Sequence, residues 1–470
     1  MSLEKEKIDR SAWLTLGTLS CLGLIAMYGE TMVLPAIPTL IVDFEMPYST
    51  SSWILSSYMI AGAVATPIAG KLSDVYGRKK ILLIVLSIYS VGILAGGFAN
   101  SLPFMLAARA AQGIGISMFP IAFGIIREVL PVKKLAVGQS IFTATFPAGA
   151  TIGLLVGANI IQNYGWHATF FTVFPIAVIL GLFILKFIHV DSLSKIPEHK
   201  MSIDVKGSVF LAITIISFLV GISNLENNIG HVYESLIFFA VTIISLIVFI
   251  IVEKRTDSPL IDFKMLTNKM LLFGILILLI VGLCTFMVYQ TIPIMIQSPQ
   301  PLGFGGTELT TATVQLPFML IFLVGSITSG FALERIGNKR LTMIGTLVGT
   351  VGFFTLLLFH STDYMVTITL AIVAAGLSLA FIGGFNIVLL STPIQFAGIA
   401  LGMTLLLNLI GQSIGPSIAG MFQQMHRSTI EGITGSFPTP DAYNLIFLTA
   451  FIISLTSVVF AISLNKKVLA

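Results

Sequence analysis

The chain has 470 residues, of which 56% are hydrophobic and only 10% are Asp, Glu, Lys or Arg, and its formal net charge is +4. Soluble domains carry roughly a quarter charged residues, so this composition excludes an ordinary water-soluble protein and favours one that lies in the lipid bilayer. Both cysteines, Cys21 and Cys284, lie in apolar runs. That placement argues against a disulfide framework or a metal site. We predict no cofactor and no nucleic-acid partner.

Apolar runs long enough for a membrane-spanning helix, about 20 residues, recur along the whole chain. The first follows the polar segment "MSLEKEKIDR" and is too long for the core of a signal peptide. Fourteen spans are predicted, near residues 13–41, 52–70, 81–99, 103–126, 136–160, 168–188, 207–224, 235–252, 270–294, 309–331, 341–359, 364–389, 397–422 and 443–464. Because this number is even, both termini are expected on the same side.

Positive charge predicts which side that is, because Lys and Arg concentrate in cytoplasmic segments. With a cytoplasmic N-terminus, all but two of the 25 basic residues fall in cytoplasmic segments. Arg427 lies outside and Arg109 lies within the fourth span. A miscounted helix would spoil this segregation, so the count and the orientation support each other. We predict a multi-pass protein of the cell membrane with both termini in the cytoplasm.

Two loops of unusual charge resemble each other. "GKLSDVYGRKK" occupies 70–80 and "GFALERIGNKR" occupies 330–340, at an offset of 260 residues. The matched pairs are Gly70 with Gly330, Asp74 with Glu334, Gly77 with Gly337, Lys79 with Lys339, and Lys80 with Arg340. Each loop follows the second helix of its half of the chain.

Spaced glycines give a second match. Gly149, Gly153 and Gly157 recur every four residues in the fifth span, and Gly411 and Gly415 repeat this spacing in the thirteenth. Small residues at this spacing permit close helix packing. Two matches at nearly one offset indicate a duplication. We therefore predict an all-α fold with a six-helix bundle at 1–190, a linker with two inserted helices at 191–268, and a second six-helix bundle at 269–470.

Several motifs resemble those of the major facilitator superfamily. "GKLSDVYGRKKIL" looks like its signature loop, and "LAARAAQGIGIS", 106–117, resembles its fourth-helix signature. "YGWHATFFTVFPI", 164–176, and "EKRTDSPLIDFKML", 253–266, resemble segments of the fourteen-span drug:proton antiporters. "ETMVLPAIP", 30–38, looks most like the subgroup that includes tetracycline-efflux-like proteins. Parallel halves are also typical of the superfamily.

This resemblance implies a conformational latch on the cytoplasmic side. Asp74 would cap a neighbouring helix and pair with basic residues, and Arg78 would hold the hairpin together. The predicted latch residues are Gly70, Asp74, Gly77, Arg78, Glu334 and Arg335. The resemblance also places Arg109 in the motif associated with proton movement.

Charges inside the membrane are rare here and point to function, because a charged group near the bilayer centre costs several kcal/mol. Glu30 lies in the first span and Arg109 in the fourth. Burial favours the neutral form of a carboxyl group, so Glu30 is the predicted proton carrier, with Arg109 as the residue that tunes it. Glu30 would also be able to bind a cationic substrate directly.

Polar and aromatic side chains within the spans are candidates to line a substrate cavity, because buried polar groups in lipid need partners. Aromatic and amide groups suit flat, amphipathic substrates. The candidates are Tyr28, Phe119, Phe142, Tyr289, Gln290, Gln315, Phe318, Asn386, Asn408 and Gln412.

The chain departs from the antiporter signatures at three places. Leu154 and Ala158 stand where the fifth-helix signature has proline and its last glycine, and Gly29 stands where many drug antiporters carry Asp. We predict a monomeric exporter of amphipathic compounds that exchanges them for protons by alternating access. Uptake or uniport of a specific metabolite is the alternative that Leu154 favours.

Two other classes are weaker alternatives. A membrane enzyme is disfavoured because the six histidines form no metal-binding pair at helical spacing. A sensor without transport activity is disfavoured by a latch loop in both halves.

Overall fold

The computed structural model describes residues 10–188, 204–224, 229–256, 259–261, 263–392 and 397–464. Within them it contains fourteen helical segments that are long and apolar enough to cross a membrane. The predicted number of spans and the all-α membrane fold are confirmed.

The first half supplies spans one to six. Its helices are α1 (Arg10–Thr31), α2 (Ile37–Asp43), α3 (Tyr48–Ser51), α4 (Trp53–Tyr76), α5 (Arg78–Gly97), α6 (Leu102–Gly113), α7 (Met118–Val129), α8 (Val132–Tyr164) and α9 (Trp166–Phe187). Spans one, two and four are each built from two consecutive helices. In span one the 3₁₀ turn Leu34–Ala36 carries Pro35 and separates α1 from α2. Proline lacks a backbone N–H, so it favours such a break.

The rest of the chain supplies spans seven to fourteen. These helices are α10 (Val205–Ser223), α11 (Ile229–Arg255), α12 (Lys269–Gln297), α13 (Glu308–Ile336), α14 (Asn338–Leu358), α15 (Asp363–Leu390), α16 (Ala397–Met425) and α17 (Pro440–Ile462). Further 3₁₀ turns lie at Ile114–Ser117 and Met265–Thr267. Strands β1 (Arg427–Ile430) and β2 (Ile433–Pro438) form an antiparallel hairpin between α16 and α17, in which Arg427 pairs with Pro438.

The predicted repeat is visible in the backbone. Gly77 and Gly337 both end one helix and begin the next, with φ values of 96° and 79°. L-residues with a side chain rarely adopt this conformation, so both turns require glycine.

The spaced glycines occupy equivalent helix crossings. A Cβ at Gly153 would lie 2.6 Å from the carbonyl oxygen of Tyr28, so α8 and α1 touch backbone to backbone. A Cβ at Gly415 would lie 3.0 Å from the amide nitrogen of Met287, where α16 crosses α12. In each half, the fifth span therefore packs tightly on the first.

Helices α10 and α11 form a pair outside this repeat, which we call the inserted pair. Thr214 donates to Ser245 at 3.0 Å, and Ser217 and Thr242 lie 2.9 Å apart, so hydroxyl groups join the two helices. Helix α10 packs on α4 of the first half and on α16 of the second.

The molecule has two faces, which are distinguished by the segments that they carry. The loop face carries residues 70–80 and 330–340, and the hairpin face carries β1 and β2. Towards the hairpin face, several hydrogen bonds join one half to the other. They run from Ser56 to the Ser413 carbonyl at 2.7 Å, from Gln290 to Ser51 at 2.8 Å, from Gln297 to the Pro35 carbonyl at 2.8 Å, and from the Tyr48 amide to Gln424 at 3.0 Å. The halves are thus held together on this face.

Candidate functional site

Arg109 is fully buried at the centre of the first half. Its Nε donates to the Ile54 carbonyl at 3.1 Å, and its Nη1 donates to the Gly29 carbonyl at 3.1 Å and to Gln112 at 2.8 Å. Helix α1 ends at Thr31, and the last carbonyls of a helix lack partners within it. Arg109 therefore bonds to a carbonyl near the broken end of α1 and ties α6 to both α1 and α4.

Aromatic groups surround this cation. The Arg109 guanidinium lies 4.5 Å from the ring centre of Tyr58, which is a cation–π contact. Tyr89 donates to the Ile25 carbonyl at 2.9 Å, and Gln112 donates to the Gly92 carbonyl at 2.8 Å. Gln112 belongs to the fourth-helix motif but was not among the predicted site residues, and no sequence pattern signalled Tyr58 or Tyr89.

One Arg109 nitrogen remains available. Within the described residues, Nη2 is buried without a hydrogen-bond partner. An unpaired N–H of a buried cation is costly. It is also a ready donor for a carboxylate or an acceptor that enters the site.

Glu30 lies beside this network with 8% of its surface exposed. It interacts electrostatically with Arg109, Tyr58 and Tyr89 of its own half. It also interacts with Tyr289, which belongs to α12 of the second half. Glu30 is therefore near Arg109 in its own half and within electrostatic reach of Tyr289 in the other half.

Gly29, which stands where many drug antiporters carry Asp, packs closely against Tyr89. A Cβ at residue 29 would overlap the Tyr89 hydroxyl group. Tyr89 thus occupies the space that a longer side chain at 29 would need, and the carboxyl group of this chain is one residue further along the helix.

The second half presents aromatic rings at its centre. Tyr289 contacts Phe286 and Phe318, with ring centres 5.0 Å and 6.1 Å apart, and its hydroxyl group donates to the Met319 sulfur at 3.4 Å. Phe318 continues the row to Phe322 at 6.2 Å. Tyr289 and Phe318 are thus brought together as an aromatic wall, in which Tyr289 is the residue that interacts electrostatically with Glu30.

The predicted amides divide into two groups. Gln315 is buried with neither its amide nitrogen nor its oxygen bonded within the described residues, and the Gln290 oxygen is also unpaired. Asn408 instead donates to the Leu278 carbonyl at 2.7 Å and accepts from Gln412 at 2.9 Å. Asn386 donates to its own helix at Ile382. Gln315 and Gln290 retain free hydrogen-bonding capacity, whereas the Asn408 amide joins α16 to α12.

The aromatic candidates of the first half lie in a separate cluster. Phe119 and Phe142 pack with Phe123 and Phe146, at ring-centre distances from 4.4 to 6.5 Å. Phe142 is only 1% exposed, so its ring is a packing residue in this state. Tyr28 is half-buried and its hydroxyl group lies near Thr172 of α9.

The loop at 70–80 is organised by Arg78. Its Nη2 pairs with Asp74 at 3.1 Å, and its Nη1 pairs with Glu128 and donates to the Gly124 carbonyl, each at 2.6 Å. Arg78 therefore links the α4–α5 turn to the end of α7. Glu128 was missed in the sequence, where it is one acid at the end of an apolar run.

For two other predicted latch residues, Gly70 and Arg335, the described residues show no contact that supports a latch. A Cβ at Gly70 would meet nothing within 4 Å, so space does not require glycine there. Arg335 is exposed, and the Glu334 side chain lies outside the described part of the chain.

Two lysines of the loops are equivalent in position and in contact. Lys79 donates to the Leu185 carbonyl at 2.8 Å near the end of α9. Lys339 donates to the Ile462 carbonyl at 3.1 Å and to the Leu464 carbonyl at the end of α17. Each cation satisfies carbonyls at the negative end of a helix dipole, and each stays within its own half.

Fourteen spans, two related halves and a buried polar centre between them define a membrane transporter. The chain belongs to the Major Facilitator Superfamily, whose family model matches residues 19–416. The resemblance that the motifs predicted is confirmed. This family consists of transporters, so the chain is not an enzyme.

Several relatives are drug-resistance proteins. The chain is 27% identical over 439 residues to Multidrug resistance protein 3 of Bacillus subtilis (strain 168), covering 90% of this chain and 82% of that protein. It is 24% identical to the Tetracenomycin C resistance and export protein of Streptomyces glaucescens, covering 87% and 75%. It is 23% identical to Multidrug resistance protein Stp of Mycobacterium tuberculosis, covering 85% and 74%. These relatives place the chain among multidrug-transporter homologues.

Solved structures show the same fold. An auto-inhibited peptide transporter of the POT family superposes with a TM-score of 0.65 over 97% of this chain and 98% of that one, at 14% identity. The xylose transporter XylE of E. coli, in a partially occluded inward open conformation, gives 0.62 over 95% and 98%, at 13% identity.

Proposed function

We propose that this protein exports amphipathic organic compounds in exchange for protons, by alternating access between its two six-helix bundles. Glu30 carries the proton, and Arg109 favours its release. The observation that carries the proposal is the position of the Glu30 carboxyl, buried between the Arg109 network of one half and Tyr289 of the other. The drug-export relatives support the substrate class.

The proton cycle follows from these neighbours. A neutral Glu30 is compatible with an apolar site, whereas its carboxylate needs a donor, since a buried charge without a partner is expensive. The unpaired Nη2 of Arg109 supplies that donor. Proton loss thus draws Glu30 towards Arg109 and away from the second half, which couples the proton to the interface.

Substrate contacts fall mainly in the second half. The aromatic wall of Tyr289 and Phe318 offers flat surfaces, and Gln315 and Gln290 offer unpaired polar atoms. A ligand pocket of this kind is mostly apolar with a few polar groups that orient the ligand. Compounds with a flat apolar body and one or two polar groups fit this chemistry.

The described state is closed towards the hairpin face, where Gln290, Gln297 and Ser56 bond across the halves. We infer that the loop face is cytoplasmic, since it carries most of the basic residues, and that this is an inward-facing state. The bonds of Arg78 run within the first half and stabilise its loop as one unit during the exchange of states.

The test is flux in liposomes with an internal pH-sensitive dye. A fluorescent amphipathic cation such as ethidium is added to the wild-type protein, to Glu30→Gln, and to Glu431→Gln in the exposed β-hairpin turn as a matched control. Wild type and control are expected to move protons with the compound. Glu30→Gln is expected to lose proton movement while it still binds the compound.

Compound-driven flux without any pH signal in the wild-type protein would contradict the exchange of protons. It would favour the alternative, which is uniport or uptake of a specific metabolite. That alternative is supported by Leu154 in place of the signature proline.

A further inference from the structure

Two buried carboxyl groups other than Glu30 lie at one end of the inserted pair. Asp204 precedes α10 and is 6% exposed, and Glu253 lies in the last turn of α11 and is 2% exposed. Asp204 Oδ1 accepts from the Gly207 amide at 2.8 Å, and Glu253 Oε2 accepts from the Ile261 amide at 3.1 Å. Each carboxyl thus has one oxygen bonded to backbone.

Their other oxygens have no donor in the described part of the chain. Asp204 Oδ2 and Glu253 Oε1 are both buried and unpaired. Both point at the same place, because a Cβ at Gly207 would overlap Oδ2 and lie 2.6 Å from Oε1. Since both oxygens lie within 2.6 Å of one point, a single proton can bridge the two carboxyl groups. Two ionised carboxylates cannot form a hydrogen bond with each other, because each is only a hydrogen-bond acceptor.

We propose that Glu253 and Asp204 hold one proton between them and form a proton-binding site at the loop-face end of the inserted pair. The proton lies on Glu253 Oε1, which donates to Asp204 Oδ2. Asp204 Oδ1 caps the N-terminal end of α10, where the helix dipole favours a negative group. Glu253 lies at the negative end of α11, where a second charge is unfavourable.

A metal ion fits this pair less well. No group of three or more His, Cys, Asp or Glu suited to a metal occurs within the described residues. Hard divalent cations take six or more oxygen ligands. One oxygen of each carboxyl group here already accepts a hydrogen bond from a backbone amide. One proton satisfies both remaining oxygens.

Within the described residues, few charged groups surround the two carboxyl groups. From α4, Lys71 interacts electrostatically with both carboxyl groups. Helix α16, which also packs on α10, has no ionisable side chain in its sequence. Lys206, Lys254 and Arg255 of the inserted pair are exposed. Loss of the proton would strengthen the attraction of Lys71, which lies just before the Asp74–Arg78 loop. The site therefore connects proton binding in the inserted pair to the end of α4.

The test is the melting temperature of the purified full-length protein as a function of pH, for wild type, Glu253→Gln, Asp204→Asn and the exposed control Glu431→Gln. An amide mimics the protonated carboxyl, because its N–H₂ donates where the proton did. Near about pH 5 all four proteins are expected to melt together. Near about pH 9 the two pair variants are expected to melt about 2 °C higher or more, because the wild-type carboxylates then repel each other.

Two further measurements sharpen the assignment. Infrared spectra at neutral pH are expected to show a protonated-carboxyl band that Glu253→Gln lacks. Lys71→Met is expected to move the midpoint of the pH effect upward, because a facing cation favours the charged form of the pair.

A constant difference between wild type and the pair variants at all pH values would overturn the proposal. So would stabilisation of the wild type by Mg²⁺ at high pH that both variants lack, since the pair would then bind a cation. Neither outcome depends on transport, so these measurements test the proton-binding site independently of the proposed export function.

Discussion

The centre of the first half is charged, and the centre of the second half is neutral. Arg109 bonds to two backbone carbonyls and to Gln112 in the first, and Glu30 lies next to it. In the second, the described buried side chains include the rings of Tyr289 and Phe318 and the unpaired amide of Gln315. The scaffold is nevertheless repeated, in its glycine crossings and its positive-φ turns. The two halves therefore share their packing and differ in the chemistry of their centres.

The largest effect is expected from removing the charge that distinguishes the first half. The offset of the loops aligns Thr369, whose hydroxyl group bonds to its own helix at Met365, with Arg109. Arg109→Met leaves the Gly29 and Ile54 carbonyls and Gln112 without their donor. We expect a loss of about 3 kcal/mol or more and no transport. Thr369→Val is expected to cost about 1 kcal/mol or less.

For both variants, the folded yield in detergent reports the loss of stability, and flux in liposomes reports transport. Equal losses at Arg109 and Thr369 would mean that the centres are equivalent and would break the comparison.

An intermediate and equal effect is expected at the shared glycine crossings. Gly153→Ala places a methyl group against the Tyr28 carbonyl, and Gly415→Ala places one against the Leu283 carbonyl. Each is expected to cost about 1–3 kcal/mol through overpacking. Gly402→Ala is the matched control, because a Cβ there meets nothing within 4 Å.

Thermal unfolding of the three variants checks this prediction. Destabilisation at only one of the two crossings would show that the scaffold is not equivalent in the two halves.

The smallest effect is expected from the paired lysines. Lys79→Met and Lys339→Met each remove a cation from the end of a helix, α9 or α17. Interactions of this kind contribute about 0.3–1 kcal/mol and are screened by salt. Melting temperatures at low and high salt are expected to differ from wild type only at low salt, and by similar amounts. A lowered melting temperature that persists at high salt would contradict the electrostatic explanation.

Much of this architecture was predictable from the sequence. Hydropathy gave the number of spans, because lipid requires long apolar helices, and the spacing of Gly149, Gly153 and Gly157 marked a close crossing. The buried position of Arg109 also followed, because a lone cation in an apolar run has few places to lie. These signals are local, so a single sequence carries them.

The partners of these residues were not predictable in the same way. Glu128 binds Arg78 because the α4–α5 turn folds onto the end of α7, and nothing near Glu128 in the sequence signals that contact. Asn408 and Gln315 are similar amides in apolar helices, yet one faces a helix crossing and the other lies unpaired. Which side of a buried helix faces a cavity depends on packing around its full circumference.

The placement of α11 has a consequence for the membrane around the protein. Only 17% of its spanning window is buried, so most of this helix touches acyl chains. Its partner α10 rests on α4 and α16, one from each half. A helix whose apolar length differs from the thickness of the bilayer tilts or shifts, and this pair would transmit such a tilt to both bundles at once. Under the proposed export cycle, the chain length of the surrounding lipids is therefore expected to shift the balance between its two access states.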